Sequence, residues 1–195
     1  MLEFMVLSSG FFYKPFKTLS SLYENFRENL LKYGFGISIL SNISLIIANL
    51  ITGQAGFVKG AGFLISHIAF VLVISYFWLM IILALYTFFL GIYNQKIDVR
   101  ELTGLYLAGD FPFFIAMPVA LIFSVLPSQL GILFNIIMFV LFVLSIVLKI
   151  KAIIITSKVD TGKSIALFIM PYAFIVFLLS INMIYFILFI INILS

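Results

Sequence analysis

Apolar residues fill this chain in five long blocks, and ahead of the first block apolar and charged positions alternate with a helical period. Between Pro15 and Tyr33, the side chains of Phe16, Leu19, Leu22, Tyr23, Phe26, Leu30 and Tyr33 share one stripe, while Lys17, Glu24, Arg27, Glu28 and Lys32 fall elsewhere. Pro15 suits a first helical turn, and Glu28 with Lys32 makes a favourable i,i+4 pair. The pattern predicts an amphipathic interfacial helix over 15–33, lying along a membrane surface. The alternative arrangement for the same stripe is a helix docked on the loops of the bundle.

The five blocks predict membrane spans at about 35–52, 63–93, 111–126, 130–155 and 165–194, since ~20 helical residues match the hydrocarbon core. The second and fifth blocks exceed that length and must tilt or project beyond the headgroups. Splitting the fifth block would give six spans, but two crossings in that length leave no room for a turn. Pro112 stands near the start of the third span, where a missing amide donor costs little. Pro118 is internal, so it predicts a kink and a freed carbonyl four residues earlier. The connections are a Gly-rich turn over 53–62, a charged loop over 94–101 running into a short interfacial helix up to Tyr106, a tight turn over 127–129, and a second basic loop over 149–164. Gly56 and Gly60 have the GxxxG spacing, but their place in a turn speaks for flexible connection rather than helix pairing.

Composition agrees with this pattern. Hydrophobic residues make up 65% of the 195, charged residues only 9%, and the mean hydropathy is +1.31, whereas soluble domains carry ~25% charge. The expected fold class is therefore all-α integral membrane, a single domain over 1–195. There is no cysteine, which excludes disulfides and thiolate metal sites. The formal charge of +4 is no nucleic-acid signal, because the basic residues sit at the ends of apolar blocks. The first ten residues have Glu3 and too short an apolar core for a signal peptide, so they are expected to remain. With five spans, every basic residue but Lys59 falls on one side. The positive-inside rule then predicts a cytoplasmic N-terminus and an outer C-terminus.

Candidate chemistry is sparse. Asp110, the acid nearest the membrane, can cap the third span through its orphan amides; the functional reading is an ion or proton site. His67 is the only histidine, and the sequence places no carboxylate or second histidine at ligand spacing from it, which favours a hydrogen-bonded packing role over metal. Asn42, Asn49, Asn135 and Asn182 either line a polar interior or make separate interhelical bonds. The sequon beginning at Asn42 lies inside a span, out of reach of glycosylation. Trp78, mid-block, reads as packing. The stretch from Asp160 to Ser164, with Lys163, imitates the end of a Walker A loop. It lacks the earlier glycine and the strand, so nucleotide binding is excluded and Lys163 is expected to meet anionic headgroups.

Three pieces together resemble the Yip1 domain family: the segment Pro15–Leu19 with its following amphipathic helix, the small-residue-then-proline stretch Leu105–Pro118, and Lys151–Pro171, where Lys163 and Ser164 lead into the last span. The chain is similar to the short prokaryotic members and lacks the long polar N-terminal region of eukaryotic ones. The resemblance implies a five-span, non-enzymatic protein of a prokaryotic cell membrane. Its expected partners are membrane lipids, a membrane protein or a second copy of itself, with no cofactor, nucleic acid or nucleotide. The competing expectation is a small transporter or channel with a polar path near Asp110 and the kinked third span.

Overall fold

The computed structural model describes residues 10–52, 61–93, 97–126 and 131–194. The expectations for the first nine residues, the Gly56–Gly60 spacing, Lys59, Lys96 and the turn at Pro127 lie outside them. After a helical turn at 10–13 come α1 (Pro15–Asn25), a 3-10 turn (Arg27–Asn29), α2 (Leu30–Ile51) and α3 (Ala61–Ile92). They are followed by α4 (Val99–Ala108), a 3-10 segment (Phe111–Ile115), α5 (Ala116–Ser124), α6 (Gly131–Ser157) and α7 (Thr161–Leu194). Among the described residues there is no strand. Five helical stretches are long and apolar enough to cross a membrane: Arg27–Ile51, Ile65–Ile92, Val99–Ser124, Gly131–Ser157 and Thr161–Ile187. This is an all-α, multi-pass membrane protein.

The helix expected over 15–33 forms in two parts. Arg27–Asn29 tightens into a 3-10 turn, which takes Glu28 out of α-helical register with Lys32, and no ion pair joins them. The predicted stripe is filled by protein. Leu19, Leu22 and Leu30 are fully buried, in one cluster with Ile37, Leu105, Phe111 and Leu148, and Tyr23, Phe26 and Tyr33 pack on its edge. Thus α1 caps one end of the bundle, resting on α4 and α6; Phe16 alone of the stripe's early residues is left exposed. We call this the collar end.

The largest departure from the sequence reading is α4. After the charged loop, Ile97, Leu102, Leu105 and Tyr106 suggest a short interfacial helix, yet α4 is the most enclosed element. From its start at Val99, the span that contains it has 56% of its most apolar stretch buried, against 11% for Ile65–Ile92 and 17% for Thr161–Ile187. One face of α4, with Leu105 and Ala108, joins the α1–α2–α6 cluster. The other, with Leu102 and Tyr106, joins a second cluster of Ile82, Tyr86 and Leu90 from α3, Ile153 from α6 and Leu167 from α7. A third, smaller cluster of Ala48, Ala116, Ala120 and Phe134 packs α2, α5 and α6 at the other end.

Contact between α2 and α4 is so close because both helices present glycine where they cross. A Cβ on Gly34 would lie 1.9 Å from the carbonyl oxygen of Gly104, and one on Gly104 would lie 2.5 Å from the carbonyl carbon of Leu30. Small residues allow such backbone approach between helices in lipid, where packing replaces the hydrophobic drive.

The break predicted at Pro118 is present, and it is repaired. The proline removes the donor for the Phe114 carbonyl, and Ser44 of α2 supplies one: its Oγ donates to Phe114 O at 2.9 Å and accepts from Met117 N–H at 2.9 Å. Pro171 in α7 has a similar neighbour. Tyr86 OH of α3 donates to Phe168 O at 3.0 Å, one residue beyond the carbonyl that this proline leaves without its amide.

The fourth span takes in the first part of the basic stretch, as its expected bounds of 130–155 imply: α6 runs to Ser157 and α7 begins at Thr161, so Lys149 and Lys151 are helical and Lys158–Asp160 forms the turn. The turn is made by Lys158, whose φ of 54° is left-handed, and by Asp160, whose Oδ1 accepts from Lys163 N–H at 3.1 Å.

The crossing yields a direct test. Gly34→Ala and Gly104→Ala are each expected to lower stability by at least ~1–3 kcal/mol, the cost of overpacking, since backbone and not a flexible side chain stands in the way. Gly91→Ala, with nothing within 4 Å of its Cβ, is expected to be neutral or to stabilise by up to ~1 kcal/mol. Thermal unfolding of the three purified variants in one detergent checks the contrast.

Candidate functional site

Asp110 follows α4 directly, and its side chain is drawn inward by groups on α2 and α6. Its Oδ1 meets Lys149 Nζ at 2.6 Å, and its Oδ2 accepts from Ser38 Oγ at 2.7 Å. The capping role expected of Asp110 is not the one observed: the carboxylate makes no bond to the amides of the following 3-10 segment and pairs across the bundle instead. Lys149, counted from sequence among the loop lysines, sits inside α6. Its ammonium also lies 5.0 Å from the centre of the Tyr106 ring, a cation–π distance. Gly109 makes this approach possible, since a Cβ there would come within 2.8 Å of Lys149 Cγ and 3.2 Å of its backbone nitrogen.

A second shell fixes the first. Asn42 Nδ2 donates to Ser38 O at 2.9 Å and to Ser38 Oγ at 3.1 Å, and Tyr76 OH of α3 donates to the same Oγ at 3.3 Å. Ser38 Oγ therefore uses both lone pairs as an acceptor while its proton goes to Asp110. Tyr106 OH and Tyr172 OH of α7 share a hydrogen bond of 3.1 Å. These polar groups, one or more from each of the five spans, border a cavity of about 290 Å³ that also touches Trp78 and Phe142.

Exposure separates this ion pair from the other one. Lys149 and Asp110 side chains are 19% and 12% exposed, whereas Arg27, which pairs with Glu101 at the collar end, is 63% exposed. Exposed pairs are worth ~0–1 kcal/mol, but removing one partner of a buried pair costs ~3–5 kcal/mol because a charge is left behind. At the collar, Glu101 accepts from Arg27 Nε at 2.5 Å and from Tyr23 OH at 3.0 Å, tying the first helix to α4. Burial, and then the hydrogen bond to Glu101, raises the Tyr23 phenol above its ordinary range.

A groove opens on the side of the bundle between α2, α3 and α4, with a volume of about 640 Å³. Phe35, Met80, Leu83 and Leu107 supply much of its wall, and Glu28, Lys32 and Arg100 stand at its collar end. This volume lies within the ~300–1,000 Å³ of ordinary ligand pockets.

The remaining predicted residues do not gather with Asp110 and Asn42. Pro112 is buried in the 3-10 segment and Pro118 lies in α5. His67 is half-buried on α3, roughly 13 Å along the helix from Tyr76 at ~1.5 Å per residue. Lys163 is exposed on the first turn of α7. The asparagines take separate places: Asn182 is exposed and donates to its own helix at Leu178 O, and Asn135 is exposed on α6. Sequence reading missed Ser38, Tyr76, Tyr106, Lys149 and Tyr172; a lysine eight residues inside an apolar helix end was the one available signal. Among the described residues no three His, Cys, Asp or Glu side chains gather to hold a metal. Compared with known proteins, the chain matches no family model, no curated protein and no solved structure.

Lys149→Met alone is expected to lower stability by ~3–5 kcal/mol, and the pair Lys149→Met with Asp110→Asn by clearly less, since the second change removes the stranded charge. Unfolding of the two single variants and the double variant, read as a cycle, measures the difference.

Proposed function

We propose that this is a non-enzymatic, Yip1-like multi-pass membrane protein that acts by holding lipid, and through it shapes the membrane or presents itself to a membrane partner. The single observation that carries this reading is the lateral groove, an apolar recess between α2 and α3 that opens sideways, where lipid chains lie. The exposed apolar length of α3 and α7 supports it, because beyond the cluster they share much of both helices faces whatever surrounds the bundle. In this reading the collar end faces the cytoplasm, as the positive-inside rule directs, and the C-terminus faces out of a prokaryotic cell. The ion pair of Asp110 and Lys149 is then a structural pin that sets the tilt of α4 and α6 beside the groove.

The test is purification from native membrane, exchange into a second detergent, and analysis of retained lipid and protein together. About one lipid per chain, surviving exchange, is the expected result. A retained protein partner without lipid redirects the reading to partner binding, and a chain that retains neither overturns it.

A second reading has its own observation. Polar side chains from all five spans border the 290 Å³ cavity around Asp110 and Lys149, the convergence a small transporter requires. It expects Asp110→Asn to abolish solute or proton flux in liposomes and Tyr76→Phe, which removes only one bond of 3.3 Å, to lower it while the fold persists. Unchanged flux in both variants, or none in the parent, removes this reading.

A further inference from the structure

The groove does not end at its charged rim. Glu28, Leu31 and Arg100 also belong to a second recess of about 490 Å³, whose other lining residues are Arg27, Leu30, Asp98 and Glu101. An apolar chamber and a strongly polar one thus share a wall, the shape complementary to an amphiphile lying with its chain along α2 and α3 and its head against the start of α4.

The charges around the polar chamber narrow the headgroup. Arg27 and Glu101 are spent on one another. The groups left are Arg100, Glu28 and Asp98 around this chamber, with Lys32 on the adjoining rim of the groove; none of the four is in an ion pair with another described residue. Asp98 Oδ1 caps α4 by accepting from Arg100 N–H at 2.8 Å, and its other oxygen is not used by that bond. Two positive and two negative groups sum to zero. An anionic head would satisfy the cations and leave Glu28 and Asp98 beside its phosphate, whereas a zwitterionic head carrying both a phosphate and a primary amine meets both signs. The amine must also donate hydrogen bonds to carboxylate oxygens, which a quaternary ammonium cannot do.

We propose that the joined recesses form a binding site for one ethanolamine phospholipid, with its phosphate on Lys32 and Arg100, its ammonium on Glu28 and Asp98, and one acyl chain in the groove lined by Phe35 and Met80. This rests on the lipid-holding reading above and specifies the class of lipid.

The experiment loads the delipidated full chain with an equimolar mixture of phosphatidylethanolamine, phosphatidylcholine and phosphatidylglycerol, and counts the lipids retained by native mass spectrometry. The expected result is one retained lipid per chain, mainly phosphatidylethanolamine. Lys32→Ala and Arg100→Ala are each expected to reduce its retention roughly fivefold, the factor that ~1 kcal/mol for a basic side chain at a lipid surface gives. Glu28→Gln should bring phosphatidylethanolamine and phosphatidylcholine toward parity. Thr103→Phe, which narrows the groove from a half-buried position on its wall, should lower retention of all three lipids, and Lys17→Ala, on α1 away from the recess, should change nothing. Retention without headgroup preference, preference for phosphatidylglycerol, or indifference to Lys32, Arg100 and Glu28 overturns the assignment while leaving lipid binding standing. Retention of no lipid overturns both.

Discussion

Two helices can cross with their backbones in contact only where neither carries a side chain, and the crossing of Gly34 with Gly104 sets the position of nearly everything else. It seats the body of α4 against α2, with Glu101 buried while Val99 and Arg100 at its start stay exposed. From there the chain reaches Asp110 at the height of Ser38, and Gly109 lets the backbone of α6 come near enough for Lys149 to meet the carboxylate. The three glycines act in sequence along one path: the first two set the depth of α4, and the third sets the distance to α6.

Around that path the structure follows the rule that governs polar groups away from water, that each must find a partner within the protein. Ser44 closes the opening that Pro118 makes, and Tyr86 reaches the turn loosened by Pro171. In both places a hydroxyl from a neighbouring helix replaces part of a helical bond, so the irregular spans are held by tertiary contacts. By the same economy Asn42 serves Ser38: it completes the set of bonds that orients the hydroxyl toward Asp110.

Much of this architecture was legible in sequence because hydropathy and proline act locally. The five blocks, the tilt-length second and fifth spans and the broken third span follow from residues read in order. What escaped was whatever depends on residues far apart in the chain. Ile97, Leu102, Leu105 and Tyr106 read as an interfacial helix behind a charged loop, since nothing near them shows that Arg27 and Tyr23 will cover Glu101. Lys149 looked like a topology signal, because a lysine near the end of an apolar block usually is one, and its pairing with Asp110 is set by the α2–α4 crossing. Of the candidate site, Asp110 and Asn42 were visible as polar residues in apolar surroundings. Tyr76, Tyr106 and Tyr172 were not, since tyrosine is equally at home in a core or at an interface.

The helices also differ in length, and this has a geometric result. At ~1.5 Å per residue the 22 residues of α2 reach about 33 Å, while the 32 of α3 and the 34 of α7 reach about 48 and 51 Å. A sheet of hydrocarbon of one thickness fits the first upright and the other two only when they lean or carry their ends beyond it. The length by which α3 and α7 outrun α2 cannot be covered by it, and the apolar side chains there meet whatever fluid surrounds the protein.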